Sequence, residues 1–158
     1  MARVAVAVVG AGQCDADTAA LATEVGRLVA ERGAVLITGG STGVMEAASR
    51  GAHAAGGIVV GILAEADPTA ANAWVDVAIP TGMGQLRNGL VVGSAGAVIA
   101  VAGEWGTLSE IAFARKIGKP VVALNTWKCV RPDGTDDDFV RVDTPQAAVD
   151  QAFELLER

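Results

Sequence analysis

Tyrosine is absent from this chain of 158 residues, and aromatic side chains make up only 4% of it. Histidine occurs once, as His53, and cysteine twice, as Cys14 and Cys129. A lone histidine excludes a histidine-rich metal site, and two distant cysteines supply neither a disulfide scaffold nor zinc-ligand spacing. Positive charge is also scarce: 12 Lys and Arg against 18 Asp and Glu leave a net charge of −6 and no basic cluster. That balance argues against a nucleic-acid polymer or an anionic membrane surface as partner. No run reaches the ~18 charge-free apolar residues of a membrane span. The start, Met1-Ala2-Arg3-Val4, is too short and strand-like for a signal peptide, so the expected compartment is the cytoplasm.

What the chain does have is apolar residues (51%) and 20 glycines. A chain of this length can bury ~70% of its unfolded surface and needs no metal or disulfide to fold. One domain spanning residues 1–158 is expected. Apolar runs with β-branched residues fall at Val4–Val9, Ala34–Thr38, Ile58–Leu63, Val75–Ile79, Ala97–Val101 and Val121–Leu124. Unbroken runs of this kind fit strands buried on both faces. Between them lie helical patterns: Leu21 to Val29, Thr42 to Ala55, Gln85 to Ser94, and Leu108 to Ile117. Lys128 to Asp143 is expected as a loop with room for a short edge hairpin. Thr144-Pro145 then caps a last helix. Alternating strands and helices predict an α/β Rossmann-like domain, a doubly wound, mostly parallel sheet with helices on both faces.

Ligands in such folds sit at the carboxyl ends of the strands, against helix N-termini. Three glycine-rich turns fall there: Gly10-Ala11-Gly12, Gly39-Gly40-Ser41-Thr42-Gly43 and Gly103-Glu104-Trp105-Gly106-Thr107. Glycine lets backbone amides approach a phosphate, and a helix dipole favours its charge. A phosphate between Gly39–Gly43 and Gly106–Thr107 is one reading; tight strand-to-helix turns that need glycine in any case are the other. No G-x-x-x-x-G-K-[ST] occurs, which excludes a P-loop. Gly10-x-Gly12-x-x-Asp15 lacks the third glycine of the dinucleotide fingerprint, and Thr38-Gly39-Gly40 offers no acid for a ribose, so NAD(P) is not expected.

Gly39-Gly40-Ser41-Thr42-Gly43-Val44-Met45 resembles the G-G-x-x-G-x-M loop of the Lonely Guy family, also labelled lysine decarboxylase-like. Gly103-Glu104-Trp105-Gly106-Thr107-Leu108-Ser109-Glu110 resembles its P-G-G-x-G-T-x-x-E motif, and Met83-Gly84-Gln85-Leu86-Arg87-Asn88 its M-x-x-R-K. The resemblance runs from about Val4 to Leu124 and is strongest to the branch of the molybdenum-cofactor carrier proteins, which carry Arg-Asn. It implies a homodimer, in keeping with a mean hydropathy of +0.41. It also implies roles for Arg87 and Glu110 as the catalytic pair of a phosphoribohydrolase, which cleaves base from ribose 5′-monophosphate. Glycosidic cleavage passes through an oxocarbenium-like state that a carboxylate can stabilise. Lysine decarboxylation is not expected, because it needs a desolvated lysine and Lys116, Lys119 and Lys128 lie outside the glycine loops.

Two functions therefore stand side by side. One is a carrier for a phosphorylated heterocycle, an AMP-like nucleotide or the molybdenum cofactor, with no further cofactor required. The other is a nucleoside 5′-monophosphate phosphoribohydrolase. Ligand contacts are expected from Gly10, Gly12, Gly39, Gly40, Ser41, Thr42, Gly43, Met83, Asn88, Gly103, Gly106 and Thr107. Thr107 and Glu110 also have capping-box spacing, with Thr107 as N-cap and Glu110 at N3. Three residues depart from the family pattern: Ala102 for its proline, Glu104 for its second glycine and Asn88 for its lysine.

Overall fold

The apolar runs pair side by side into one sheet. A computed structural model describes residues 2–158. Its strands are β1 (Ala5–Gly10), β2 (Val35–Thr38), β3 (Ile58–Leu63), β4 (Val77–Pro80), β5 (Ala97–Val101), β6 (Val121–Leu124) and β7 (Val140–Val142). The order across the sheet is β4-β3-β2-β1-β5-β6-β7, and every pairing is parallel. The order reverses between β1 and β5, which is where such a sheet opens a crevice.

The helices are α1 (Ala16–Glu31), α2 (Val44–Ala54), α3 (Asn88–Gly93), α4 (Trp105–Lys116) and α5 (Pro145–Leu156). Successive β1 side chains serve opposite faces, as a pleated strand requires. Val6 and Val8 pack with Val25, Val29 and Ala48 of α1 and α2 and with Ala148 and Val149 of α5. Ala7 and Val9 pack with Val91, Ile111 and Ala114 of α3 and α4. Both faces are thus covered, which explains why the strands read as unbroken apolar runs. Among the described residues, no helix is long and apolar enough to cross a membrane.

α1 and α2 touch backbone to backbone. A Cβ on Gly51 would lie 1.9 Å from the carbonyl oxygen of Thr23, and one on Gly26 2.0 Å from that of Ala48. Backbone cannot yield as a side chain can. Gly51→Ala should therefore lower the unfolding free energy by about 3 kcal/mol, the upper end of typical overpacking, as read by urea titration.

Three elements differ from their sequence reading. The 128–143 stretch is not all loop, since Val140–Val142 extends the sheet as a parallel edge strand. The hairpin reduces to one antiparallel bridge, Val130 to Asp136. The helix expected from Gln85 begins as a 3-10 turn, Gly84–Arg87, before α3. α4 starts at Trp105, not Leu108.

Candidate functional site

The carboxyl ends of β1, β2, β3 and β5 surround a cavity of about 250 Å³. From the first loop it takes Gly10 and Gly12, and from the second Ser41. Arg87 and Asn88 line it from the junction of the 3-10 turn and α3, and Gly106, Thr107 and Glu110 line it from α4. Thr42 faces an adjoining pocket shared with Gly12 and Glu104, and its hydroxyl donates to the Gly12 carbonyl at 2.7 Å. Gly39, Gly40, Gly43 and Gly103 shape the turns without lining this cavity. Gly43 has φ +66°, and a Cβ there would meet the Ala11 carbonyl oxygen at 2.3 Å. Met83, half exposed ahead of the 3-10 turn, is not part of the cavity wall.

The helix N-termini differ in what they offer an anion. α1 is already capped, because the Asp15 carboxylate accepts from the Thr18 amide at 2.8 Å. α2 starts after Gly43 with no side-chain cap; the Val44 amide donates to the Ala11 carbonyl at 3.0 Å, and the amides that follow, with the helix dipole, face the loop. That loop is pinned from outside: the Asn72 amide donates to the Gly40 carbonyl and its side chain to the Ser41 carbonyl, both at 2.8 Å.

Arg87 is 6% exposed. Its guanidinium lies so close to the second loop that a Cβ on Gly39 would sit 2.6 Å from Nη2. One Nη donates to the Asn88 side-chain oxygen. Asn88 in turn donates to Ser109 Oγ at 3.2 Å, tying the arginine to α4. A lysine at 88 could accept nothing from a guanidinium, so the departure to Asn88 gives Arg87 a partner. Its Nε has no partner, and no carboxylate among the described residues lies within 4 Å of the guanidinium. A buried donor left unpaired costs about 1–3 kcal/mol, more when charged.

Glu110 is 7% exposed and lines the same cavity. Burial pushes its carboxyl up to about 8, although the nearby Arg87 charge pulls the other way. Glu110 does not cap its helix. Glu104 is the N-cap and Thr107 occupies N3, with the Glu104 amide donating to Thr107 Oγ1 at 3.4 Å. The capping spacing is real but sits one turn earlier than the sequence suggests, which frees Glu110 for the cavity. Trp105 lies outside the cavity, three-quarters exposed, with its ring 5.1 Å from that of Trp127.

Sequence reasoning did not assign Ala64 and Glu65, which complete the wall beyond β3. They carry no glycine signature; only their place after a strand next to β2 marks them. At Ala102 the family's proline could not fit, because φ is +48° and proline is held near −65°. Its amide also donates to the Leu124 carbonyl at 3.1 Å. Ala102→Pro should accordingly cost about 3 kcal/mol or more in a denaturant titration.

Comparison with known proteins bears on this geometry. A family model described as the SLOG cluster4 family matches residues 3–149. A protein of Archaeoglobus fulgidus, itself described as uncharacterized, is 43% identical over 149 residues, 94% of each chain. The molybdenum cofactor binding protein of the phototrophic bacterium Rippkaea orientalis superposes with a TM-score of 0.88 at 33% identity, covering 99% of each chain. The molybdenum cofactor carrier protein of Chlamydomonas reinhardtii does so with a TM-score of 0.86 at 29% identity, covering 99% of this chain and 100% of that one.

Proposed function

This chain belongs to the SLOG cluster4 family, and on that footing we propose that it binds and carries a phosphorylated heterocycle of nucleotide or molybdenum-cofactor type. The observation that carries the reading is Arg87: a buried guanidinium with no carboxylate partner among the described residues, lining the cavity and laid against Gly39. An anion in the cavity would be a counterion for the guanidinium, whose Nη2 donates no hydrogen bond to the described residues, and the amides that follow Val44 at the start of α2 add a favourable dipole. Gly10, Gly12, Ser41, Asn88, Gly106 and Thr107 would make the remaining contacts. The solved relatives described as binding or carrying the molybdenum cofactor support the same class of cargo.

Phosphoribohydrolysis is the second reading, since Arg87 and Glu110 share one cavity. A carboxyl raised by burial could serve there as the acid that protonates the leaving base, but the solved relatives are described as binding or carrying a cofactor. Carriage is the reading those relatives favour. Calorimetry with AMP, other nucleotides and molybdopterin-type ligands tests it. Micromolar binding with no release of free base supports the carrier, whereas no binding by any phosphorylated ligand overturns it. The free thiols Cys14 and Cys129 suit a reducing compartment such as the cytoplasm.

The working form would be a homodimer. Leu86 and Trp105 are 78% and 75% exposed, and with Gly89 and Phe113 they line a groove that adjoins the ligand cavity at Gln85, Asn88 and Gly106. Large apolar side chains grouped in this way mark an interaction surface. Light scattering at micromolar concentration should give twice the 15.9 kDa chain mass. The double variant Leu86→Asp, Trp105→Asp should give the single mass.

A further inference from the structure

Glu110 and Arg87 are both more than nine-tenths buried, line one cavity, and do not form an ion pair within 4 Å. None of the described protein groups donates a hydrogen bond to the Glu110 carboxyl. A carboxylate buried without a donor is the costly form, and the neutral acid is the one such a place selects. Its position near 8 agrees with that selection. The charged groups facing it across the cavity are Arg87 from the 3-10 turn, Glu104 from the start of α4, and Glu65 from the end of β3. Of these, Arg87 is the charge that acts on Glu110, while Glu104 and Glu65 are exposed to solvent.

We propose that Glu110 recognises the ligand as a neutral acid, donating its carboxyl proton to an acceptor atom of the ligand, so that capture and release are coupled to one proton. This rests on the carrier reading and adds to it a specificity-determining hydrogen bond. The ligand class is narrowed accordingly: an organic phosphate with an acceptor, a phosphate or ring carbonyl oxygen or a ring nitrogen, within reach of α4. Ionisation of Glu110 removes the donated proton and sets a carboxylate against the bound anion. Release is then favoured as pH rises, with no change in the fold.

AMP and inorganic phosphate are the probes, tested by calorimetry from pH 6.5 to 9.5 in buffers of different ionisation enthalpy. A second measurement follows the Glu110 carboxyl carbon by NMR in glutamate-labelled protein, the signal being identified by its loss in Glu110→Gln. The expected result is a carboxyl midpoint near 8 that moves upward when a probe saturates the site. AMP affinity should fall about tenfold per pH unit above 8, with uptake approaching one proton per ligand. Glu110→Gln, which keeps a donor but cannot ionise, should bind with no such slope; Glu110→Ala should bind weakly at every pH. A midpoint in the ordinary carboxylate range, or the same slope in wild type and Glu110→Gln, overturns this inference and leaves the carrier reading intact. No binding by wild type at any pH of AMP, inorganic phosphate, other nucleotides or molybdopterin-type ligands overturns both.

Discussion

Glu110→Gln should make the ligand-free protein more stable at neutral pH, not less. The unfolded chain ionises this carboxyl near its ordinary 4.5, whereas the folded chain holds its proton up to about 8. The folded state therefore binds more protons between those values, and wild-type stability must fall as pH rises through that window before levelling off above 8. At pH 7 the loss amounts to about 3 kcal/mol, because each unit of separation is worth about 1.4 kcal/mol. Glutamine keeps the size and a neutral, buried hydrogen-bonding head but pays none of this penalty. For a domain of this length the gain corresponds to a melting temperature higher by about 5–10 °C at pH 7. The difference should become small near pH 4.5, where the unfolded wild type is already half protonated, and vanish at lower pH. Thermal melts of both proteins from pH 4.5 to 9 check this; parallel curves across the range would show that Glu110 titrates normally.

Arg87→Ala should abolish useful binding of a phosphorylated ligand. Losing one partner of a buried, hydrogen-bonded charge pair costs about 2–5 kcal/mol, so affinity should drop from about thirty-fold to a few thousand-fold. Arg87→Lys should recover little, since a lysine ammonium cannot form the guanidinium fork held by Asn88 against Gly39. Arg87→Ala should not unfold the domain, because the lost hydrogen bond to Asn88 is offset by removing a buried charge whose Nε has no partner. Without the nearby positive charge, Glu110 should also titrate higher than about 8. Calorimetry and denaturant melts on one preparation separate these effects: affinity falls while stability holds. Equal losses of both would make Arg87 a structural residue.

The parallel sheet was legible because both of its faces are covered, which turns β1 and β5 into uninterrupted apolar runs. β7 was not, because an edge strand of three residues with exposed Arg141 at its centre leaves no such run. The start of α4 was misread for a local reason. Thr107-x-x-Glu110 and Glu104-x-x-Thr107 both have capping spacing, and only backbone geometry shows that the second is used. The glycine loops and Arg87 could be located from sequence, since their spacing follows from strand-to-helix turns at the crevice. The burial that raises the Glu110 carboxyl could not, because it depends on how α4 packs its first turns beside Arg87. Glu65 was missed because no motif marks the end of β3.

We propose that the cavity carries a phosphorylated heterocycle on Arg87 and does not cleave it. Native mass spectrometry of freshly purified protein tests this most directly. Wild type should appear heavier than the chain by one intact organic phosphate, which is released on denaturation and absent from Arg87→Ala. A bare wild-type chain that stays bare after incubation with AMP and molybdopterin-type ligands would contradict it, as would recovery of free base and ribose phosphate in place of intact ligand.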